Sequence, residues 1–267
     1  MNNLLVLGCS YSHLEYHTNC EDSYTFHLKN ELGFNNLINL SVCGAAPSTI
    51  NRILIQYLDN PKFGIPDFVF IQWPYASRNE YFIDTNRNKC VLLYASTGKN
   101  VYSQISIKNI NEEIEKNKPK SFLLKNSDWR STHNEDEYNL LNAHMRLISN
   151  KSQQLINLYK EVGIAEKLLD NKIPYAYVES EIKTNTDKTT IVHGLLSQEH
   201  QYLNTYNYAK HLCHKKFFIP NVGIQTNSPT YSNDNYDDGH PGPISHKRFA
   251  DAIIPKLREL IQWENLI

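Results

Sequence analysis

Three residues stand in settings that suit nucleophilic chemistry. Ser10 lies in Gly8-Cys9-Ser10-Tyr11-Ser12, while Asp237 and His240 lie in Asp237-Asp238-Gly239-His240-Pro241 near the other end of the chain. A serine hydroxyl attacks a carbonyl only when a base takes its proton, and an imidazole does this near neutral pH. A carboxylate behind the imidazole fixes its tautomer and stabilises the imidazolium that forms. Asp237 precedes His240 by three positions, which puts both side chains on one side of a turn, and Pro241, Gly242 and Pro243 stiffen the loop that follows. The oxyanion created by attack needs donors. The Ser10 N–H is one candidate. Gly44, in Ser41-Val42-Cys43-Gly44-Ala45, offers a second, because no side chain keeps a substrate away from its N–H.

Such residues are useful only if the fold brings them together. The run 4–7 is short and continuously apolar, as a strand buried on both faces should be, and it ends at Gly8 just before Ser10. Helical spacing follows over about 22–32, stopped by Gly33, then a strand at 37–40 and a helix at 47–58 opened by Pro47. A third strand is expected at 68–71, a long helical stretch at 138–169 broken near Asn150, a fourth strand at 174–178 and a last amphipathic helix at 245–263. Strands alternating with helices predict a parallel sheet with helices on both faces, whose carboxyl ends gather the functional loops. Ser10, Gly44 and the third-strand loop satisfy that expectation, and His240 lies just before the final helix. The stretches at about 76–134, with hairpin-like pieces at 89–95 and 101–107, and at about 181–236 break the rhythm and read as insertions into a single domain spanning 1–267.

Composition narrows the function. Lys and Arg number 27 against 28 Asp and Glu, so no basic excess exists to hold a phosphate backbone, and nucleic acid is not an expected partner. Apolar residues make up 40% of the chain, enough for a folded core. Five cysteines, at 9, 20, 43, 90 and 213, are odd in number and lack C-x-x-C spacing, which suits a reducing compartment better than a disulfide framework. No apolar stretch approaches the roughly 18–20 residues needed to cross a bilayer, and the first residues lack the basic start of a signal peptide. A cytoplasmic location is therefore expected.

The blocks around these residues resemble those of the SGNH hydrolase superfamily, the GDSL-like esterases and lipases. Gly8-Cys9-Ser10-Tyr11-Ser12 is similar to the nucleophile block, Gly44 to the glycine of the second block, and Asp237-x-x-His240 to the acid–base block. The resemblance implies a flavodoxin-like three-layer α/β/α fold and esterase, lipase or carbohydrate-deacetylase activity without a cofactor. It assigns Ser10, Asp237 and His240 as a triad, with the Ser10 and Gly44 N–H groups as oxyanion donors and a small-molecule or glycan ester as substrate.

Two positions depart from the family pattern. Cys9 stands where an aspartate is usual, and the third block lacks its Asn: the matching stretch runs Ile71-Gln72-Trp73-Pro74-Tyr75-Ala76-Ser77-Arg78-Asn79. Arg78 or Asn79 is the expected substitute from that loop, and Arg78 also suits a charged substrate. Trp73 and Tyr11 read most simply as core or rim residues, and as an aromatic rim they are candidates to hold a sugar ring. Loss of one oxyanion donor costs about 10²–10³ in turnover, which leaves a catalytically weak binding module as the alternative reading. Asp237, Asp238, His240 and His246 form an alternative metal-ligand set, though no metal or cofactor is expected. His13 and His17 read as surface or rim residues, and Cys9 and Cys43 as small buried apolar groups.

Overall fold

The computed structural model of the chain describes residues 1–13, 19–74, 78–81, 89–96, 99–106, 121–123, 151–170, 172–179, 234 and 240–264. In chain order these form β1 (Asn3–Leu7), α1 (Tyr24–Glu31), β2 (Asn36–Asn39), α2 (Pro47–Asp59) and β3 (Phe68–Trp73). They continue with β4 (Asn79–Tyr81), β5 (Lys89–Ser96), β6 (Lys99–Ser106), β7 (Ser121–Leu123), α3 (Lys151–Leu169), β8 (Tyr175–Glu179) and α4 (Pro243–Glu264).

Five strands make one parallel sheet in the order β7-β2-β1-β3-β8. Strand side chains alternate between faces, and both faces are covered. Leu5, Leu7, Val69 and Ile71 pack with Ile50, Ile53 and Leu54 of α2 and Leu158 and Val162 of α3. Leu4, Val6, Phe68 and Phe70 pack on the other side with Tyr24 and Leu28 of α1 and Phe249, Ile253 and Leu257 of α4. Burial on both sides is why these strands read as unbroken apolar runs rather than as an alternating pattern. The result is a three-layer α/β/α domain with flavodoxin-like winding.

The sheet is wound outward from β1, with β2 on one side and β3 on the other. Right-handed crossovers in opposite directions place α1 and α2 on opposite faces, and a crevice opens at the carboxyl ends of β1 and β3. The loop carrying Ser10 begins at that point.

β4, β5 and β6 form a separate antiparallel sheet, as the hairpin pattern predicted. One expectation needs correcting. Ser121–Leu123, within the stretch at about 76–134 that reads as an insertion, pairs with β2 and forms the edge of the main sheet. The segments expected to be helical at 138–150 and irregular at 181–233 lie outside the described residues. No helix among the described residues is long and apolar enough to cross a membrane.

Candidate active site

The chain leaves β1 through successive tight turns. The Ser12 N–H donates to Cys9 O at 2.9 Å and the His13 N–H to Ser10 O at 3.3 Å. Gly8 is required here because a Cβ at this position would overlap Ser12 Oγ and stand 2.8 Å from Ser12 Cβ. The turn is tied sideways by the Val42 N–H, which donates to Gly8 O at 3.1 Å and joins the loop after β2 to the loop after β1. Ser10 sits at this junction with 6% of its surface exposed.

Three buried polar side chains hold the Ser10 loop. Gln72, near the end of β3, accepts at Oε1 from the Cys9 N–H (3.3 Å), Cys9 Sγ (3.2 Å) and Ser12 Oγ (3.0 Å). Its Nε2 donates to Trp73 O at 3.2 Å, which fixes the amide's orientation. Asn39, at the end of β2, donates from Nδ2 to Ser12 O at 2.7 Å and accepts the Ser41 N–H at 3.0 Å. Tyr24, the first residue of α1, shares a 2.5 Å hydrogen bond with Ser12 Oγ. Burial pushes the Tyr24 phenol well above its ordinary range, against the lowering effect of the Ser12 bond. With the Ser12 proton directed at Gln72, the Tyr24 O–H donates to Ser12 Oγ.

The second loop turns sharply at Gly44. The Ala45 N–H donates to Val42 O at 3.0 Å, and Gly44 takes φ +74°, the conformation a type II turn needs at its third position. Arg78 reaches this turn: its Nη1 donates to Ala45 O at 3.4 Å, and the residue is only 6% exposed. The arginine expected from the third-block stretch therefore lies next to the glycine turn. Asn79 opens β4, opposite Leu93. Trp73, in contrast, is fully buried among the core residues facing α2 and α3, so it is a core residue and not an exposed rim. His13 is likewise fully buried, where the sequence suggested a surface or active-site-rim position. Cys9 and Cys43 are buried, as expected.

His240 is brought to the Ser10 loop from the far end of the chain. Its ring meets Tyr11 edge-on, with centroids 5.5 Å apart and planes at 61°. Tyr11 is partly exposed and packs against both halves of the core, so it links the domain interior to the histidine. Asp237 and Asp238 lie outside the described residues. His246, considered above as a metal ligand, is engaged elsewhere: its Nδ1 accepts the Tyr24 N–H at 3.2 Å, and its ring stacks on Tyr24 at 5.8 Å and 11°. That contact satisfies a first-turn N–H of α1 that has no partner within its own helix. Among the described residues no group of three or more His, Cys, Asp or Glu side chains is placed to hold a metal ion.

Sequence reasoning assigned no role to Gln72, Asn39 or Tyr24. Each amide interrupts an otherwise apolar strand, and that interruption was the available signal.

No family model matches the chain, and no curated protein matches it. Several solved structures do. The chain is similar to TesA at 13% identity, covering 97% of this chain and 99% of that one, with a TM-score of 0.45. It is similar to the psychrotrophic esterase EstA from Pseudoalteromonas sp. at 13% identity, covering 99% and 100%, with a TM-score of 0.46. A carbohydrate esterase family 2 enzyme from Corynascus (Myceliophthora fergusii) matches at 13% identity, covering 98% of this chain and 67% of that one, with a TM-score of 0.47. With identity at 13% and TM-scores below 0.5, the functional reading falls to the chain's own site.

Proposed function

We propose that this chain is a serine-dependent acyl-ester hydrolase. The observation that carries the reading is the contact of His240 with Tyr11, which sets an imidazole beside the residue adjoining Ser10 at the carboxyl end of the central strand. In this reading Ser10 Oγ attacks the ester carbonyl while His240 accepts its proton and the Asp237 carboxylate orients the imidazole. The N–H groups of Ser10 and Gly44 stabilise the tetrahedral oxyanion, and Gly44 carries no side chain of its own to keep a carbonyl from its N–H. Collapse expels the alcohol, protonated by His240, and leaves an acyl-Ser10 ester. Water, deprotonated by His240, then releases the acid and restores the serine. An alcohol entering in place of water would make the same site a transferase.

An O-acetyl group on a carbohydrate is the substrate class to test first, since the partly exposed Tyr11 ring beside His240 suits a sugar face. The purified protein is expected to hydrolyse p-nitrophenyl acetate or acetylated oligosaccharides. Ser10→Ala is expected to lower turnover by at least about 10³-fold while leaving the fold intact, as happens when a triad nucleophile is removed. Unchanged turnover in Ser10→Ala would sink the assignment. A folded wild-type protein that binds the sugars without cleaving them would favour the binding module.

A further inference from the structure

We infer that Asp234 is a positioning residue for His240: it acts as a clasp that closes the loop carrying the histidine and holds it against the Ser10 turn. The inference rests on the reading of His240 as the base. Helix α4 begins at Pro243, so its first N–H groups need acceptors from outside the helix. The residue before it, Gly242, gives its carbonyl to the His246 N–H at 3.0 Å and so occupies the N-cap position, but it has no side-chain oxygen to cap with. Asp234 supplies that oxygen from eight positions upstream. Its carboxylate accepts the Ile244 N–H, the Ser245 N–H at 3.2 and 3.3 Å, and the Ser245 hydroxyl at 2.6 Å.

The backbone closes the same neck. A Cβ on Gly242 would overlap the carbonyl oxygen of Asp234, so the chain at 234 runs directly against the chain at 242. Positions 234 and 242, on either side of His240 in the chain, are therefore held at one place. That place is the N-terminus of α4, whose Phe249, Ile253 and Leu257 are fully buried against the sheet. A histidine on a loop anchored at one end has many orientations open to it. With both ends anchored on a packed helix, His240 is restricted to the neighbourhood of Tyr11, where its ring is found. Asp234 touches no reacting atom in this scheme. Its effect on the reaction passes through the geometry of His240.

The test compares wild type with Asp234→Ala, Asp234→Asn and Ser245→Ala, each at a temperature well below its own unfolding midpoint. One readout is the rate of Ser10 labelling by a fluorophosphonate. The other is the ring 1H–15N spectrum of His240. Asp234→Ala is expected to label about 10–100-fold more slowly, the range a displacement near 1 Å costs a positioned group, with shifted or broadened His240 signals. Asp234→Asn, which keeps one acceptor oxygen, is expected to recover part of the rate. A variant that melts earlier but labels at the wild-type rate with unchanged His240 signals would show that Asp234 only caps the helix, and would overturn the inference. If wild type itself fails to label, the hydrolase reading fails. The His240 spectrum then still decides whether the clasp positions the ring.

Discussion

A single carboxamide oxygen organises the loop on which the proposed chemistry depends. Gln72 Oε1 gathers the Cys9 N–H, the Cys9 thiol and the Ser12 hydroxyl, and the Tyr24 phenol extends the chain of donors into α1. All four residues are buried, so no water stands ready to replace a lost acceptor. Gln72→Leu keeps most of the volume and removes the acceptor. It is expected to cost about 1–3 kcal/mol in urea unfolding, the usual penalty for stranding buried donors. Because the same bonds shape the turn, the variant should also react more slowly at Ser10. Stability and Ser10 reactivity both equal to wild type would show that Gln72 does not hold the loop. The importance of Gln72 and Asn39 was not legible in the sequence, because each bonds to residues distant in the chain. What was visible was a polar amide closing an apolar strand, and in a sheet buried on both faces such an interruption marks a side chain with a specific partner.

At the scale of elements, α1 and α4 pack side by side on one face of the sheet, and their contact is a chain of rings. Tyr24 meets Phe249 at 4.8 Å and Phe70 at 6.0 Å, both edge-on, and stacks on His246. His27 sits partly buried at this seam. Burial first, and then the charge of Lys247 on α4, hold its pKa below the ordinary 6.5, while Asp251, Asp22 and Glu31 pull the other way. The folded state therefore binds a proton at His27 less readily than the unfolded chain. At high pH both states are neutral there and His27 makes no difference. As pH falls below about 6.5 the unfolded state protonates first, and stability declines until the folded pKa is passed. Replacing His27 by Gln should flatten this acid-side decline in thermal unfolding between about pH 7 and pH 5. Identical slopes in the two proteins would contradict the assignment. The longer elements were legible to within a few residues, the helices from their apolar spacing and the main-sheet strands from their unbroken apolar runs. β4 and β7 were not: three residues each, Asn79–Tyr81 and Ser121–Leu123, are too few to show a pattern, and only their register with β5 and β2 makes them strands.

For the whole molecule, the parallel sheet does the assembling. Positions 10, 44 and 72 are far apart in the chain, but each follows or ends a parallel strand, so all lie along the edge formed by the strands' carboxyl ends. Arg78 reaches that edge by its bond to Ala45 O, and α4 returns His240 to it from the other end of the sequence. That gathering was legible in advance, because strand–helix alternation fixes which ends of the strands face together. What the loops then do with their side chains was less so. Arg78 comes to the Gly44 turn, while Trp73 points into the core. The central claim is that this edge activates Ser10 as a nucleophile. The most direct measurement is to treat the intact protein with a fluorophosphonate and locate the adduct by peptide mass spectrometry, with Ser10→Ala and His240→Ala alongside. The account predicts one adduct, on Ser10, absent from Ser10→Ala and strongly slowed in His240→Ala. A folded protein that takes no label at Ser10, or labels equally well without His240, would contradict it.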